Sequence, residues 1–236
     1  MRKTFAERNL TVPSKKEMLL GIACWVMFEL GFALLLLPFF DIHSVHGEFW
    51  YQIAVFCACF LMTVFCFWSF LKDAMYKLPL RQLLRQVIVG YGLYWLLSYG
   101  VSLLIVILER YAPTEQVNVN QETVYAMLNY EPLPMILCTG LLAPVTEECL
   151  VRGMIFGPIC RKRPWLAYLV STAVFALLHI LSSIGSITVV NVVENFLTYV
   201  PSGIVLGWIY QRTRSIAGPI ALHCAINLNA ILLMNL

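Results

Sequence analysis

Charged residues are scarce in this sequence. Sixteen basic and thirteen acidic residues make up 12% of the 236 positions, whereas charged residues form about 25% of an ordinary soluble chain. Apolar residues form 60% of the chain and the mean hydropathy is +0.78. A soluble fold of this size cannot bury so much apolar surface, because a large part of its exterior faces water. The composition therefore excludes a soluble globular domain, a disordered chain and a coiled coil, and indicates a polytopic membrane protein.

The sequence also lacks a strong excess of charge of either sign. Its formal net charge is only +3, so it offers no basic surface of the kind that a nucleic-acid partner requires. It has no internal repeat and no low-complexity tract. Residues 1–17 are hydrophilic and basic, and the apolar run that follows them is long enough to span a bilayer. This start does not have the pattern of a cleavable signal peptide.

The cysteines do not predict a disulfide framework. Most of them lie inside apolar stretches, where a thiol behaves as a small buried hydrophobic group, and their spacing is not that of a paired-cysteine zinc site. We expect them to be structural thiols. The eight positions are 24, 57, 59, 66, 138, 149, 160 and 224.

Long apolar runs predict an all-α integral membrane bundle, because a membrane-spanning helix needs about 20 consecutive apolar residues. The sequence contains seven such runs. The sixth is interrupted by Pro201 and Gly203, and two shorter pieces there would raise the number of spans to eight. The seven predicted spans are residues 18–40, 50–71, 87–108, 133–160, 165–184, 187–210 and 216–236.

Basic residues predict the orientation of these spans, because cytoplasmic loops carry an excess of Lys and Arg. With seven spans, fourteen of the sixteen basic residues fall on one side, and Arg110 is the only basic residue in the opposite loops. We therefore expect a multi-pass protein of the cell membrane with a cytoplasmic N-terminus, and the short chain and small loops suggest a bacterial source. The fourteen residues are Arg2, Lys3, Arg8, Lys15, Lys16, Lys72, Lys77, Arg81, Arg85, Arg161, Lys162, Arg163, Arg212 and Arg214.

A few ionisable side chains lie inside the predicted spans. Each costs at least about 2.5–3.5 kcal/mol on insertion scales, so each is either a functional residue or half of a structural pair. Both interpretations stay open for Glu29. Glu194, with its neighbour Asn195, lies either in a substrate cavity or at the outer interface. The intramembrane residues are Glu29, Glu147, Glu148, Arg152, Glu194, His179 and His223.

The fourth span carries two adjacent glutamates, of which one has a local partner for an ion pair and the other has none. Glu148 and Arg152 are four residues apart, so they share one face of a helix and can form an ion pair. Glu147 points about 100° away from Glu148 and has no such local partner. An unpartnered carboxylate in a poorly hydrated interior suits the role of a general base.

Two later spans carry polar pairs at the same helical spacing. Phe175 and His179 are four residues apart in the fifth span, and His223 and Asn227 are four apart in the seventh. Each pair therefore shares one helix face. A single histidine in a membrane helix is often explained by one interhelical hydrogen bond.

Depth in the membrane argues that these residues form one site. At a rise of 1.5 Å per residue, Glu147, His179 and Asn227 each lie roughly 20–22 Å from the cytoplasmic end of their own span. Three different spans thus place polar side chains in one layer. The reference positions are Arg161, Pro164 and Arg214.

The ordered set of three motifs resembles the CAAX protease and bacteriocin-processing family of intramembrane glutamic endopeptidases, also called the Abi family. The resemblance covers about residues 133–230, and the first three spans match only in being hydrophobic. It divides the chain into N-terminal membrane helices, residues 1–132, and a catalytic helical core, residues 133–236. The motifs are Glu147-Glu148-Cys149-Leu150-Val151-Arg152, Phe175-Ala176-Leu177-Leu178-His179 and His223-Cys224-Ala225-Ile226-Asn227.

The resemblance implies a peptide hydrolase and a set of residue roles. Glu147 with His179 would activate a water molecule, and His223 with Asn227 would stabilise the oxyanion of the attacked carbonyl. The supporting residues would be Glu148, Arg152 and Phe175. The substrate would be a membrane-associated peptide or protein, through processing of a prenylated C-terminus, maturation of a pheromone or bacteriocin, or bacteriocin immunity.

The resemblance leaves metal dependence open, because members of the family have also been described as metal-dependent. The sequence lacks the H-E-x-x-H motif of zinc peptidases. We therefore favour a mechanism without a metal cofactor. In the zinc-dependent alternative, the ligands would be Glu147, His179 and His223.

Two rival functions belong to other classes. The chain could be a non-catalytic membrane scaffold or immunity protein, although no position of the three motifs is degenerate. A small transporter or proton relay would use the same buried glutamates and histidines, but the sequence lacks the inverted repeat that many transporters have.

Overall fold

The computed structural model of the protein describes residues 10–115 and 117–234, and these residues form helices and no strand. The predicted all-α fold is thereby confirmed. Three predicted cytoplasmic residues, Arg2, Lys3 and Arg8, lie outside the described residues, as do the last two residues of the predicted seventh span. We number the helices α1 Lys15–Phe39, α2 Val45–Cys66, α3 Trp68–Lys77, α4 Leu80–Tyr111, α5 Val119–Tyr130, α6 Pro132–Cys160, α7 Pro164–Ile180, α8 Val189–Thr213 and α9 Ala217–Met234.

Five of these helices, α1, α2, α4, α6 and α8, are long and apolar enough to cross a membrane. Helices α7 and α9 are apolar but shorter. The 17 residues of α7 extend about 25 Å, less than the roughly 30 Å of the hydrocarbon core. Of the seven spans predicted from the sequence, five are therefore present as helices of spanning length.

Helix α7 ends four residues before the predicted span because of local backbone chemistry. The hydroxyl of Ser183 donates to the carbonyl of Ile180 at 2.7 Å, which favours a turn over a further helical repeat. Gly185 then has φ +96°, a conformation that residues other than glycine rarely adopt. The predicted span 165–184 includes the four residues of this turn, 181–184, as part of the helix.

The predicted break in the sixth span is not present, because α8 is continuous through Pro201. Gly203, two residues later on α8, instead allows a close helix contact. A Cβ atom at Gly203 would lie 2.7 Å from Cγ2 of Thr172, so only glycine allows α7 and α8 to approach this closely. The small residue therefore serves packing within the chain.

Among the described residues, three π-helical turns interrupt the membrane helices. They span Met27–Gly31 in α1, and Cys138–Leu142 and Cys149–Phe156 in α6. Such turns are rare and frequently occur at functional sites, because they widen the helix and redirect its side chains. Glu29 lies in the first of them and Arg152 in the last.

The N-terminal and C-terminal helices share one buried core. Cys24 of α1 and Phe67, which precedes α3, pack in a cluster with Leu150 of α6 and Tyr210 of α8. All eight cysteines are free thiols and six of them are buried. The thiols therefore contribute to packing, as expected from their apolar sequence context.

Helix α4 lies at the edge of the bundle. Gly90 is its buried residue, and a Cβ there would lie 2.8 Å from Leu222 of α9. Apolar side chains farther along α4 are exposed, with Leu96 at 68% and Leu103 at 67%. A surface of this kind suits contact with lipid rather than water.

The segments that carry the basic residues meet at one end of the bundle. Arg161 donates to the carbonyl of Leu10 at 2.7 Å, and the Thr11 amide donates to the carbonyl of Arg214 at 3.2 Å. These contacts join the N-terminal segment to the connections that follow α6 and α8. Three of the segments that carry basic residues therefore meet at one end of the bundle, and the orientation of the spans in a membrane stays a prediction.

Candidate active site

A cavity of about 320 Å³ lies inside the helix bundle. All four residues predicted to be catalytic line it: Glu147 from α6, His179 from α7, and His223 and Asn227 from α9. The structure therefore brings together side chains that lie up to 80 residues apart in the chain. Two further lining residues used below are Glu29 and Tyr199.

Glu147 directs one carboxylate oxygen at both histidines. Its Oε2 atom lies 3.7 Å from Nε2 of His179 and 3.8 Å from Nε2 of His223. These distances are too long for direct hydrogen bonds, and Oε2 is buried without a hydrogen-bond partner among the described residues. The position suits a water molecule that hydrogen-bonds the carboxylate and an imidazole together.

His179 is held in a defined orientation. Its Nδ1 atom lies 2.8 Å from the carbonyl oxygen of Phe175. A carbonyl only accepts, so Nδ1 carries the proton and Nε2 is the atom that faces Glu147. The imidazole lies between two rings, with centroid separations of 4.5 Å to Phe175 and 4.4 Å to Tyr199.

His223 is oriented by the second glutamate of α6. Its Nδ1 atom lies 2.8 Å from Oε1 of Glu148, so its Nε2 atom is directed at Glu147. Glu148 is fully buried and His223 is 3% exposed. A buried carboxylate behind an imidazole sets its tautomer and its orientation.

The predicted ion pair between Glu148 and Arg152 is confirmed. Nη1 of Arg152 donates to Oε1 of Glu148 at 3.1 Å, with both side chains fully buried. Nη2 donates to the carbonyl of Gly203 at 3.2 Å, and the guanidinium lies 4.4 Å above the ring centre of Phe175. Arg152 thus links α6 to α7 and α8 behind the cavity.

The two glutamates of this site have different ionic partners. Glu148 forms an ion pair with Arg152, whereas the carboxylate of Glu147 faces the imidazoles of His179 and His223. Because a net charge is costly in a poorly hydrated interior, Arg152 compensates Glu148, and Glu147 is the carboxylate directed at the two histidines and the cavity.

Asn227 lines the cavity one turn after His223. Its side-chain amide donates to the carbonyl of Thr139 at 2.8 Å, which lies in the π-helical turn Cys138–Leu142. An amide nitrogen carries two protons, so one N–H remains to donate to a group in the cavity. The role of His223 and Asn227 in binding an oxyanion stays a prediction.

Glu29, for which the sequence leaves a functional role and a structural pair open, lines this cavity. Glu29 lies fourteen residues after Lys15, and Glu147 lies fourteen residues before Arg161. At 1.5 Å per residue both are roughly 21 Å from the same end of the bundle. The depth argument applied to the three motifs would have placed Glu29 in their layer.

Tyr199 is a residue of this cavity that the sequence did not predict. Its ring stacks on His179, and its hydroxyl accepts a hydrogen bond from the side-chain amide of Asn120 at 3.0 Å. The hydroxyl also donates to Asn118 at 3.4 Å. No local pattern marks Tyr199, because its partners come from α7 and from the start of α5.

Glu194 and Asn195, for which the sequence leaves a substrate cavity and the outer interface open, are not among the residues that line this cavity. Glu194 is only 5% exposed. The Asn195 amide donates to the carbonyl of Val117 at 2.7 Å, and Asn191 donates to the carbonyl of Glu115 at 2.9 Å. One face of α8 thereby holds the connection between α4 and α5.

The zinc-dependent alternative requires Glu147, His179 and His223 to form a ligand set. Within residues 10–115 and 117–234, no group of three or more His, Cys, Asp or Glu side chains is arranged to hold a metal ion. The absence of a metal cofactor stays a prediction, and we derive no step through a metal.

Comparison with known proteins gives a family match over the C-terminal part of the chain. Residues 129–229 match the family described as "Type II CAAX prenyl endopeptidase Rce1-like". This range contains the three motifs and the four candidate catalytic residues. The resemblance inferred from the motifs is thereby confirmed over this range.

Two bacterial proteins are similar to part of the chain. One is "UPF0177 protein YxdF" of Lactococcus lactis, 30% identical over 97 residues, or 39% of this chain and 48% of that protein. The other is "Putative membrane peptidase YdiL" of Bacillus subtilis, 27% identical over 109 residues, or 46% of this chain and 40% of that protein. The chain thus spans less than half the length of these curated relatives. No solved structure matches it significantly.

Proposed function

Because residues 129–229 are Rce1-like, we propose that this protein is an intramembrane endopeptidase. It hydrolyses a peptide bond in a membrane-associated protein or peptide. One observation carries the proposal. A buried oxygen of Glu147, which has no hydrogen-bond partner in the described part of the chain, lies 3.7 Å and 3.8 Å from the Nε2 atoms of two oriented histidines in one cavity.

Water activation is assigned to Glu147 and His179. A water molecule beside Oε2 of Glu147 and Nε2 of His179 loses a proton to the carboxylate as its oxygen attacks the peptide carbonyl. The carboxylate then gives this proton to the leaving amine, so that atoms and protons balance over the reaction. General acid–base catalysis of this kind contributes typically 10²–10⁴-fold to a rate.

Oxyanion stabilisation is assigned to His223 and Asn227. The Nδ1 proton of His223 is directed to Glu148, so its Nε2 atom can donate only when the ring is an imidazolium. The second amide proton of Asn227 supplies a further donor, and donors fixed before reaction are worth more where water is scarce.

The mechanism is proposed without a metal cofactor. The carboxylate and the two imidazoles supply the base, the acid and an oxyanion donor, which together account for peptide hydrolysis. The proposed substrates are membrane-associated, and processing of a prenylated C-terminus, maturation of a pheromone or bacteriocin, and bacteriocin immunity are the three contexts to test. Oligomeric state does not enter this mechanism.

We place the protein in the cell membrane of a bacterium with its N-terminus in the cytoplasm. Two observations support this placement: the basic segments meet at one end of the bundle, and both curated relatives described above are bacterial. Reporter fusions at the N-terminus and in the connection between α4 and α5 test it. A cytoplasmic signal from the second fusion would contradict this orientation.

Cleavage by purified protein tests the activity. A quenched fluorescent peptide panel, including prenylated and unprenylated members, is incubated in detergent with wild type, with Glu147→Gln and with Glu194→Gln. Glu194 is a matched control, because it is a buried intramembrane glutamate that does not line the cavity. We expect Glu147→Gln to lose at least about 10²-fold in rate and Glu194→Gln to retain activity.

Two further measurements decide between the alternatives. Chelator-sensitive activity that zinc restores would contradict the mechanism without a metal. Equal cleavage by wild type and Glu147→Gln would contradict the role of Glu147. If no peptide is cleaved while binding of a partner survives Glu147→Gln, the scaffold interpretation replaces the enzymatic one.

A further inference from the structure

Glu29 is a second carboxylate in the proposed catalytic cavity. It lies in the π-helical turn Met27–Gly31 of α1 and lines the same cavity as Glu147. The mechanism above makes no use of it. It also lies outside residues 129–229, the part of the chain that matches the family.

The Glu29 carboxylate has unused capacity to accept hydrogen bonds. Its Oε1 atom is buried and has no hydrogen-bond partner among the described residues. A buried carboxylate oxygen without a partner is unfavourable, and a fold retains it most readily where a ligand supplies the missing donor.

The remaining cavity wall is suited to a cation. Among the described residues that line it, none is Lys or Arg. Aromatic rings form part of the wall, and aromatic faces attract ammonium and guanidinium groups. Phe175 and Tyr199 already contact Arg152 and His179, and the other rings in the wall belong to Phe28, Phe56 and Tyr94.

Glu147 cannot fill this role during the reaction. Its Oε2 atom faces His179 and His223, and in the proposed mechanism it takes and returns a proton. A cationic group paired with Glu147 would suppress that function. Glu29 is therefore the carboxylate available to bind a positive charge on the substrate.

We infer that Glu29 is a specificity-determining residue that binds a cationic group of the substrate peptide, so that this enzyme favours peptides with a Lys or Arg side chain, or a free amino terminus, near the cleaved bond. The inference rests on the proposed function and names its substrate class. A charge-assisted hydrogen bond in a poorly hydrated cavity supplies the preference.

Peptide binding tests the inference without requiring cleavage. The probes are labelled apolar octapeptides that are N-acetylated and carry Lys, norleucine or Glu at one scanned position. A norleucine peptide with a free amino terminus separates the terminal amine from the side chain as the source of charge. Binding is measured by fluorescence anisotropy in the Glu147→Gln variant, which holds peptides without hydrolysing them.

At one or more positions, we expect a cationic probe to bind about tenfold or more tightly than acetylated norleucine, as a hydrogen bond to a charged group provides. The preference disappears when Glu29→Gln is added and remains when Glu194→Gln is added instead. The Glu29→Lys change makes the Glu peptide the preferred probe. If Glu29→Gln fails to fold, Glu29→Ala serves in its place and likewise loses the preference for the cation.

The outcomes separate this inference from the proposed function. Equal binding of cationic and neutral probes, or a preference that survives Glu29→Gln, overturns the inference even if wild type cleaves peptides. Absence of cleavage by wild type overturns the proposed activity, whereas a Glu29-dependent cation preference then still assigns the binding site. If Glu29→Gln lowers cleavage of Lys and norleucine peptides equally, Glu29 is a structural residue.

Discussion

Nδ1 of His223 lies 2.8 Å from Oε1 of Glu148, and both side chains are buried. This contact gives the two adjacent glutamates of α6 different roles. Glu148 faces away from the cavity and holds the imidazole of His223 and the guanidinium of Arg152. Glu147 faces the cavity and the Nε2 atoms of both histidines. A turn of about 100° between neighbouring helical residues is what separates these two roles.

The Glu148→Gln variant should be strongly destabilised. Gln keeps the shape of Glu148 but removes the charge that compensates the fully buried Arg152. Breaking one partner of a buried ion pair costs about 3–5 kcal/mol. Thermal unfolding in detergent measures this loss, and an unchanged midpoint would contradict a structural role of the pair.

A paired substitution should separate stability from activity. Glu148→Leu combined with Arg152→Met removes both charges, and apolar replacement of a whole buried pair is often neutral. We expect the unfolding midpoint to return towards that of wild type. Activity should stay low, because His223 has lost the acceptor of its Nδ1 proton. Recovery of cleavage together with stability would show that Glu148 does not orient His223.

Phe175→Leu should lower activity more than its effect on stability explains. The Phe175 ring packs against the guanidinium of Arg152 and both imidazoles, with separations from 4.4 to 5.5 Å. Phe156→Leu is a matched control, because Phe156 is equally buried but packs against Tyr168 and Tyr210. Both changes should cost about 1–2 kcal/mol of stability. Only Phe175→Leu should reduce kcat, and equal kcat losses in the two variants would argue against a positioning role.

Two substitutions at Tyr199 should distinguish its ring from its hydroxyl. Tyr199→Phe keeps the ring that stacks on His179 and removes the hydroxyl that contacts Asn118 and Asn120. Tyr199→Leu removes the ring as well. We expect a small loss of activity, about two- to fivefold, for one neutral hydrogen bond removed by Phe, and a larger fall in kcat for Leu. Steady-state kcat and KM on one peptide measure both, and identical kcat values would exclude ring stacking as a constraint on His179.

Gly203→Ala should destabilise the bundle. The new Cβ would lie 2.7 Å from Cγ2 and 3.0 Å from Cα of Thr172, and overpacking of this kind costs typically about 1–3 kcal/mol. It also moves the carbonyl that accepts from Arg152. Gly100→Ala is the control, because no atom lies within 4 Å of a Cβ there. Unfolding midpoints compare the two, and equal stability would mean that α7 and α8 can separate at no cost.

Much of the candidate site could be predicted from the amino-acid sequence. Glu147, His179, His223 and Asn227 are polar residues in an apolar setting, and helical spacing and depth place them in one layer. The structure places all four around one cavity. The Glu148–Arg152 pair was equally predictable, because residues four apart share a face even where a π-helical turn begins between them.

Other parts of the site depend on contacts that no local pattern records. Tyr199 reaches His179 only because α8 packs on α7, and Glu148 holds His223 across 75 residues of sequence. The length of a helix is also not fully predictable from the sequence. An apolar run does not reveal where a serine side chain and a glycine with positive φ stop a helix, as happens after Ile180.

The sequence by itself determined that this protein is an apolar all-α bundle with its few polar groups in one layer, because the insertion cost of charge and the rise per residue are local properties. The tertiary structure decided which of those groups face one another. Glu29 joined the cavity, Glu194 stayed outside it, and Glu148 became the partner of His223. Rotation of each helix about its axis and the approach of its neighbours set these contacts, and both arise only when the helices pack.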